Sequence, residues 1–547
     1  MKKKTTLLGL FCAVVLSAFA AQEIYVSPTG SDENTGTSGS PYATLAKAVS
    51  MVSEDGAVIY VASGTYVFGS TAIIKPYNQT IVGDDAATTI FDGNNAVALI
   101  DGQTEMQGSQ KTLTLQKVAF KNAKMDVTAE TGGSAVRMGA KTNLNVESCY
   151  FYKNLSESTS GIIAWGGAIY FCGNKLNVDK CFFEENSSKS SATEGYGGAI
   201  AVRHLWNTGG TTHEVLGATY AVIKNSTFYK NFCKSKGGAV YFNKQLNANL
   251  DDEDATFVVQ NCVFLENKGG NGLQLGAAVA LSSGSNSTNN KEQSIILTNN
   301  TMCNNAIVNS AGDPTYKNTV LLEGFRYTSY MANNLITSSL SANGEALFAN
   351  QPAPIEYGRN NIIDKIGANI NGADFTTNAV AMNNVVVAVT PEELKLSTTL
   401  SGYPVGTSFA VPYLTVTSGS VAINGGVNSY QINTIANPAP AAAVEYVLST
   451  DMLGFGIQQG VRDLGAFEFS PSTATTTELI GKNGFVNENG GVRVSKLNST
   501  NRIMVYNTNG ILVYQTVVRD TETFIPLTGS GIYVISINGK AQKHYFQ

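Results

Sequence analysis

The sequence is short of charge, histidine and tryptophan. Charged residues make up 14% of it, against roughly 25% in an ordinary soluble domain. A disordered chain would carry more charge and fewer apolar residues than the 43% found here. Lys and Arg number 36 against 41 Asp and Glu, and a general nucleic-acid binder would be basic, so no nucleic-acid partner is expected. Ala, Glu, Lys and Leu do not dominate, which excludes a coiled coil or helical bundle. The three histidines, His204, His213 and His544, lie far apart and no Cys-x-x-Cys pair exists. That leaves no metal-ligand spacing. Glycine is in excess, at 54 of 547 residues against ~7% usually, and asparagine is conspicuous. These features describe a large β protein punctuated by Gly and Asn, long enough for more than one domain.

The first residues have the form of a secretory signal. Lys2, Lys3 and Lys4 are a basic start, Leu7 to Leu16 a short apolar core, and Ala18-Phe19-Ala20 a small-x-small site. Cleavage is expected near Ala20 or Ala21, giving a signal over 1–21. The apolar stretch is shorter than the ~20 residues a membrane span needs, and Phe11 before Cys12 argues against lipidation. Six cysteines then remain: Cys149, Cys172, Cys181, Cys233, Cys262 and Cys303. An even number in an exported chain usually suggests disulfides. Here Cys149, Cys181 and Cys262 each stand two residues before a Phe in a repeated motif, so stacked, unpaired thiols are expected instead.

Two motifs alternate through the middle of the chain. One is Cys/Ser-x-Phe-x-x-Asn, at Cys149-Phe151-Asn154, Cys181-Phe183-Asn186, Ser226-Phe228-Asn231 and Cys262-Phe264-Asn267, with a degenerate copy at Asn300-Met302-Asn305. The other is Gly-Gly-Ala followed by a strand, at Gly166 to Phe171, Gly197 to Val202 and Gly237 to Phe242, with weaker copies at Gly133 and Gly276. A period of two within each motif predicts strands. Val136, Ile169, Ile200, Val240 and Val279 should share an inward column, and Met138, Phe171, Val202, Phe242 and Leu281 another. Arg137, Tyr170, Ala201, Tyr241 and Ala280 should form the outward column. Gly before each strand suits a bend. The Asn that closes each Phe motif suits a left-handed turn and can stack with its equivalents. Coils about 4.8 Å apart then build an all-β, right-handed parallel β-helix.

The alternation of Gly-Gly-Ala-Ile with Phe-x-x-Asn over about residues 117–305 resembles the repeats of the polymorphic outer-membrane proteins. Those are bacterial surface β-helices linked to adhesion. The resemblance stops at the C-terminus, where that family carries a large membrane β-barrel for which this chain has neither room nor pattern. Upstream, Ile24 to Val61 and Gly64-Thr65-Tyr66 look like the opening shared by secreted pectate-lyase-like β-helix proteins. Leu45, Ala48, Val49 and Val52 there mark a short capping helix, with Ser40-Pro41 as its start. Downstream, Asp451, Gly454 and Arg462-Asp463-Leu464-Gly465-Ala466-Phe467-Glu468 are similar to the closing segment of bacterial surface β-helices. They are expected to form a salt-bridged structural cap.

Residues 22–470 are therefore read as the β-helix, 471–477 as a polar linker and 478–547 as a small β-sandwich. Val505-Tyr506-Asn507-x-x-Gly510, Leu527-x-x-x-Gly531-Ile532-Tyr533 and Lys543-x-Tyr545-Phe546 in this tail resemble the C-terminal sorting domain of type IX secretion in Bacteroidota. A Pro-Asn-Pro common in that family is absent. The resemblance implies the type IX machinery as a partner, and a secreted or cell-surface location on a Gram-negative bacterium.

Catalytic residues do not converge in the sequence. A polysaccharide lyase needs an Arg or Lys base, usually with carboxylate-bound Ca²⁺, and Arg137 and Arg203 are the candidates for that base. Asp179, Glu184 and Glu185 read as solvated residues, and Asp84-Asp85 and Asp251-Asp252-Glu253-Asp254 as loops. No cofactor is expected, Ca²⁺ belonging to the lyase alternative alone. For binding, Tyr170 and Tyr241 stand in the outward column with Trp165, Tyr196 and Trp206 nearby. They offer either a platform for sugar rings or a packed ladder under a crossing loop. The expected role is a monomeric, non-catalytic β-helix that contacts a glycan or a host or neighbouring-cell surface. The alternative is a polysaccharide lyase or glycoside hydrolase acting on an acidic or plant or host polysaccharide.

Overall fold

A computed structural model describes residues 21–469 apart from 130, 192–193, 206–215, 218–219, 245–254, 271–275, 284–292, 325–326, 350–354, 371, 381, 404, 407, 429–446 and 458–460. It also describes residues 484–546 apart from 489, 496–500, 508–511, 528–530 and 538–539. The chain divides into two compact units between Phe469 and Ser470.

The first unit is a right-handed parallel β-helix. Among the described residues its first sheet has eleven strands, from Glu23–Val26 to Ile355–Arg359. Its second has eleven, from Gly64–Val67 to Val385–Val386, and its third ten, from Ala72–Ile73 to Leu347–Ala349. A fourth sheet of seven strands enters from Lys124–Asp126 onward. One turn of the spiral runs through Asn143–Glu147, Tyr150–Tyr152, Leu155–Ser158 and Ile169–Phe171 before returning to the first sheet.

The register follows the sequence columns. Val136, Ile169, Ile200, Val240 and Val279 pair in order, each fully buried. On the second sheet Phe120, Phe151, Phe183, Phe228 and Phe264 stack with ring centroids 4.6–4.8 Å apart and planes within 7°. Each such pair contributes about 0.5–1.5 kcal/mol beyond burial.

Two asparagine ladders hold the turns. Asn154, Asn186, Asn231, Asn267 and Asn305 pass an amide hydrogen bond from coil to coil at 2.8–2.9 Å. Asn300, Asn334, Asn361 and Asn384 do the same at 2.8–3.0 Å. The second ladder continues the column begun by Cys149, Cys181, Ser226 and Cys262, since the Cys262 amide donates to the Asn300 side chain. The stacking expected of the Phe-motif Asn is thus present, but its turn position needs correction. The left-handed residue is the one before it: Lys153, Glu185, Lys230, Glu266 and Asn304 have φ of 53–56°. The outward residue takes the strained conformation so that the Asn can point inward. The glycines answer a second demand. Gly197 has φ 63°, and a Cβ on Gly198 would lie 2.0 Å from the Gly238 carbonyl of the next coil.

Among the described residues all six cysteines are free and buried. Burial pushes the Cys172, Cys233, Cys262 and Cys303 thiols up to about 12, which keeps those four protonated and unreactive near neutral pH. Native protein is therefore expected to give almost no reaction with Ellman's reagent and all six thiols after denaturation. Rapid reaction of native thiols would contradict the buried columns.

The N-terminal end is covered by helix α1 (Leu45–Ser50), which buries Leu45, Ala48 and Val49. Thr44 caps it by accepting the Lys47 amide at 3.1 Å, so the start is Thr44, not Ser40-Pro41, and Val52 lies beyond the helix. The far end is plugged by Ile370 and Phe375, both 3% exposed. The segment around Arg462 is not that plug, contrary to the sequence expectation. It belongs to a strap, made of the described residues of 387–469, laid along the outer face of the second sheet. There Leu394, Leu414, Met452 and Leu464 pack on Phe182, Val263, Leu335 and Ile362. Side chains of Asn261, Asn333 and Asn360 donate to the strap carbonyls of Thr450, Val427 and Gly425 at 2.7–2.9 Å.

The second unit pairs a three-stranded sheet with a four-stranded one, all antiparallel. Val492, Val494, Ile503, Val505, Ile525 and Ile535 fill the space between them. It is a small β-sandwich.

Candidate functional site

The outward column of the third sheet is not an open platform. Tyr170, Tyr241 and Trp165 are 0%, 3% and 4% exposed, and the rings turn onto one another. Tyr196 lies 4.8 Å from both Trp165 and Tyr241. Arg203 lays its guanidinium over Trp165 at 4.4 Å and donates to the Tyr170 hydroxyl at 3.5 Å. Next to it Lys236 bonds Glu323 at 2.5 Å, and Asn243 donates to the Tyr241 hydroxyl at 3.2 Å. These groups largely satisfy one another, as a packed ladder does. Trp206 and Asp251 to Asp254 lie outside the described residues, as does His213.

Arg137 is committed as well. It donates to the fully buried Asp101 at 2.6 Å, and Asp101 also accepts the amides of Gln103 and Thr104. Burial pushes the Asp101 carboxyl up, but the bonds from Arg137 and Thr104 outweigh it and hold it below the usual carboxylate range. The guanidinium locked to this buried carboxylate braces the coil. Asp84 accepts from Ser63, and Asp85 accepts the Ala87 and Phe409 amides. Asp179 accepts the Asn225 amide at 2.8 Å.

A partly exposed aromatic surface lies elsewhere, along the second sheet where it meets the turn. Lys121, Tyr152, Glu184 and Tyr229 occupy one outward row, one residue per coil. Tyr152 and Tyr229 are half-buried, and Lys153 and Lys230 sit over their rings at 4.8 and 4.7 Å. The strap completes the surface. Tyr403, 41% exposed, stands edge-on to Tyr229 at 5.5 Å. Its hydroxyl donates to Glu184 Oε1 at 2.7 Å, while the Tyr150 hydroxyl donates to Glu184 Oε2. Glu184 is therefore neither solvated nor free: it is 2% exposed and pins the strap to the coil. That bond, more than burial, pushes the Tyr403 hydroxyl up. Lys121 is pushed down by burial, partly offset by Asp92 and Glu184.

Residues 28–143 match a family described only as a protein of unknown function, DUF1565. No curated relative matches the chain. Among solved structures, the chain is similar to a rhamnogalacturonan lyase at 17% identity and a TM-score of 0.34, covering 62% of this chain and 87% of that one. A pectin methylesterase from carrot gives 12% and 0.29, covering 57% and 84%. A complex of XylC with xylose gives 9% and 0.30, covering 82% and 98%. A fold of this kind hosts many activities.

The tyrosine–lysine strip was hidden in the repeat itself. Phe-Tyr-Lys-Asn occurs twice, at Phe151 to Asn154 and Phe228 to Asn231. In each copy Phe is the core stack, Asn the ladder, and Tyr-Lys the part left over for the surface.

Proposed function

We propose that the chain is an exported β-helix, secreted or held at the cell surface, that contacts a glycan or a neighbouring surface without transforming it. The observation that carries this reading is the strip of Tyr152, Tyr229 and Tyr403, whose partly exposed rings are flanked by lysines. Aromatic faces with polar rims suit sugar rings, which offer apolar C–H faces and equatorial hydroxyls. The two arginine candidates for a lyase base, Arg137 and Arg203, are engaged with Asp101 and with Trp165 and Tyr170.

Replacing Tyr152 and Tyr229 together by alanine is expected to weaken binding on a glycan array by tenfold or more, about 1.4 kcal/mol, with the β-helix still folded by circular dichroism and the melting temperature lowered by the loss of two half-buried rings. Undiminished binding by the double variant would remove the strip from the function.

The C-terminal sandwich is proposed to act in delivery. Removing residues 478–547 should hold the protein in the periplasm of its own host, read by fractionation and immunoblot. Normal surface delivery of the shortened chain would overturn the assignment.

A further inference from the structure

Resting on the reading of the strip as a glycan-contact surface, we infer that it takes an uncharged, extended polysaccharide running along the solenoid axis, with Tyr403 as a side wall. The charge arrangement is the first reason. The left-handed turn residues beside the strip alternate in sign from coil to coil, as Lys153, Glu185, Lys230 and Glu266. Lys153 meets Glu185 at 3.5 Å and Lys230 meets Glu266 at 3.7 Å. Every lysine on this edge therefore has a carboxylate one coil away. An acidic polymer would meet repulsion from Glu185 and Glu266 as often as attraction, whereas a neutral one pays neither cost.

The spacing is the second reason. Tyr152 and Tyr229 share one row with Glu184 between them, so they are two coils apart, roughly 10 Å along the axis. An extended pyranose chain advances by about one sugar per coil, so alternate sugars meet the two rings. The intervening position offers no ring. Glu184 there is buried and already accepts the hydroxyls of Tyr150 and Tyr403, and this fixes Tyr403 beside Tyr229. A polymer crossing the axis would meet Tyr152, or Tyr229 with Tyr403, but not both rows of the strip.

The test uses the full mature chain and isothermal titration. The probes are cello-, xylo- and manno-oligosaccharides of increasing length, with oligogalacturonates and hyaluronan oligosaccharides of matching length. Affinity for at least one neutral series is expected to rise until the oligosaccharide spans both tyrosines and then to level off, with little change between low and high salt. The acidic series should bind at least tenfold more weakly. Tyr403→Ala should lower affinity for spanning oligosaccharides and not for the shortest ones. Tighter, salt-sensitive binding of the acidic series that is lost in the Tyr152→Ala and Tyr229→Ala double variant would overturn the neutral ligand and keep the strip. Equal affinity for one sugar and for spanning oligosaccharides would overturn the axial arrangement. Binding that the double variant leaves intact would instead sink the strip itself, and no binding by any neutral series would overturn the inference.

Discussion

Asn186→Ala is expected to destabilise the solenoid by about 3–6 kcal/mol, more than most single substitutions. The Asn186 amide donates to the Phe151 carbonyl at 3.0 Å and to Asn231 Oδ1 at 2.9 Å. Its oxygen accepts both the backbone and the side-chain amide of Asn154, at 3.1 and 2.8 Å. Alanine removes all four bonds and orphans groups in a turn with no solvent access. Each orphaned donor or acceptor costs about 1–3 kcal/mol. Leucine should not rescue the variant, because an apolar replacement is neutral only when both partners are replaced. Aspartate should be worse still, since it keeps an acceptor, loses the donor and buries a charge. Each coil touches only its neighbours, so the loss weakens the interfaces on both sides of the substituted coil. The neighbouring turn supplies the opposite result. Lys180 has φ 54°, a conformation Asn tolerates better than Lys, so Lys180→Asn should raise stability slightly. Urea denaturation followed by circular dichroism reads both. A shift for Asn186→Ala within about 0.5 kcal/mol, the range of a surface substitution, would show the ladder to be a bystander.

The ladder also marks where sequence reading succeeded and where it stopped. Periodicity of two assigned the inward columns because burial is imposed on every coil alike, and Val136 to Val279 repeat the same demand five times. It could not tell which of two adjacent turn residues takes the left-handed conformation. Lys153 and Asn154 are equally polar, and only the inward hydrogen bonds decide. Nor could it say whether an outward residue is exposed. Tyr170 and Tyr152 both point out of the spiral, yet one is sealed beneath other side chains and the other meets solvent. The strap was the least legible part. It has no repeat, and its partners are remote in sequence: Pro412 accepts from Thr227, and Tyr403 reaches Glu184. Its Arg462 cluster was readable as a structural ion pair, but its place on the flank of the solenoid was not. The Tyr-Lys pairs stand within Phe-Tyr-Lys-Asn, where core stacking of Phe and the ladder of Asn account for the repeat without assigning the pair a role.

Arg462→Met is expected to release the strap while leaving the coils folded. Arg462 is fully buried, faces Glu468 at 3.0 Å and donates to Asn261 and the Thr450 carbonyl at 3.1 and 3.0 Å. Asp451 and Asp463, 1% and 2% exposed, surround it and accept the amides of Leu453, Phe455, Asn424 and Phe469. Removing the Arg462 charge leaves three buried carboxylates without the counter-charge they have among the described residues, a loss of about 3–5 kcal/mol. The damage should stay local, because the strap packs with the outer apolar residues of the second sheet, a cluster separate from the coil interior. Limited proteolysis should therefore cut within 387–469 while the far-ultraviolet circular dichroism of the β-helix persists.

The pH dependence gives the decisive control. Burial pushes the Glu468 carboxyl up from its ordinary 4.5 to about 7, against the pull of Arg462, and raises Asp451 and Asp463 too. The docked strap thus holds a proton more tightly than the free strap does. Its stability is greatest below the ordinary carboxylate value and declines as pH rises through about 7. Without Arg462 the same groups are raised further, so acidification to about pH 5 should restore much of the protease resistance of Arg462→Met and only slightly improve the parent. A defect equally large at both pH values would mean that the strap is held by its apolar contacts, with the charge cluster playing no part in docking.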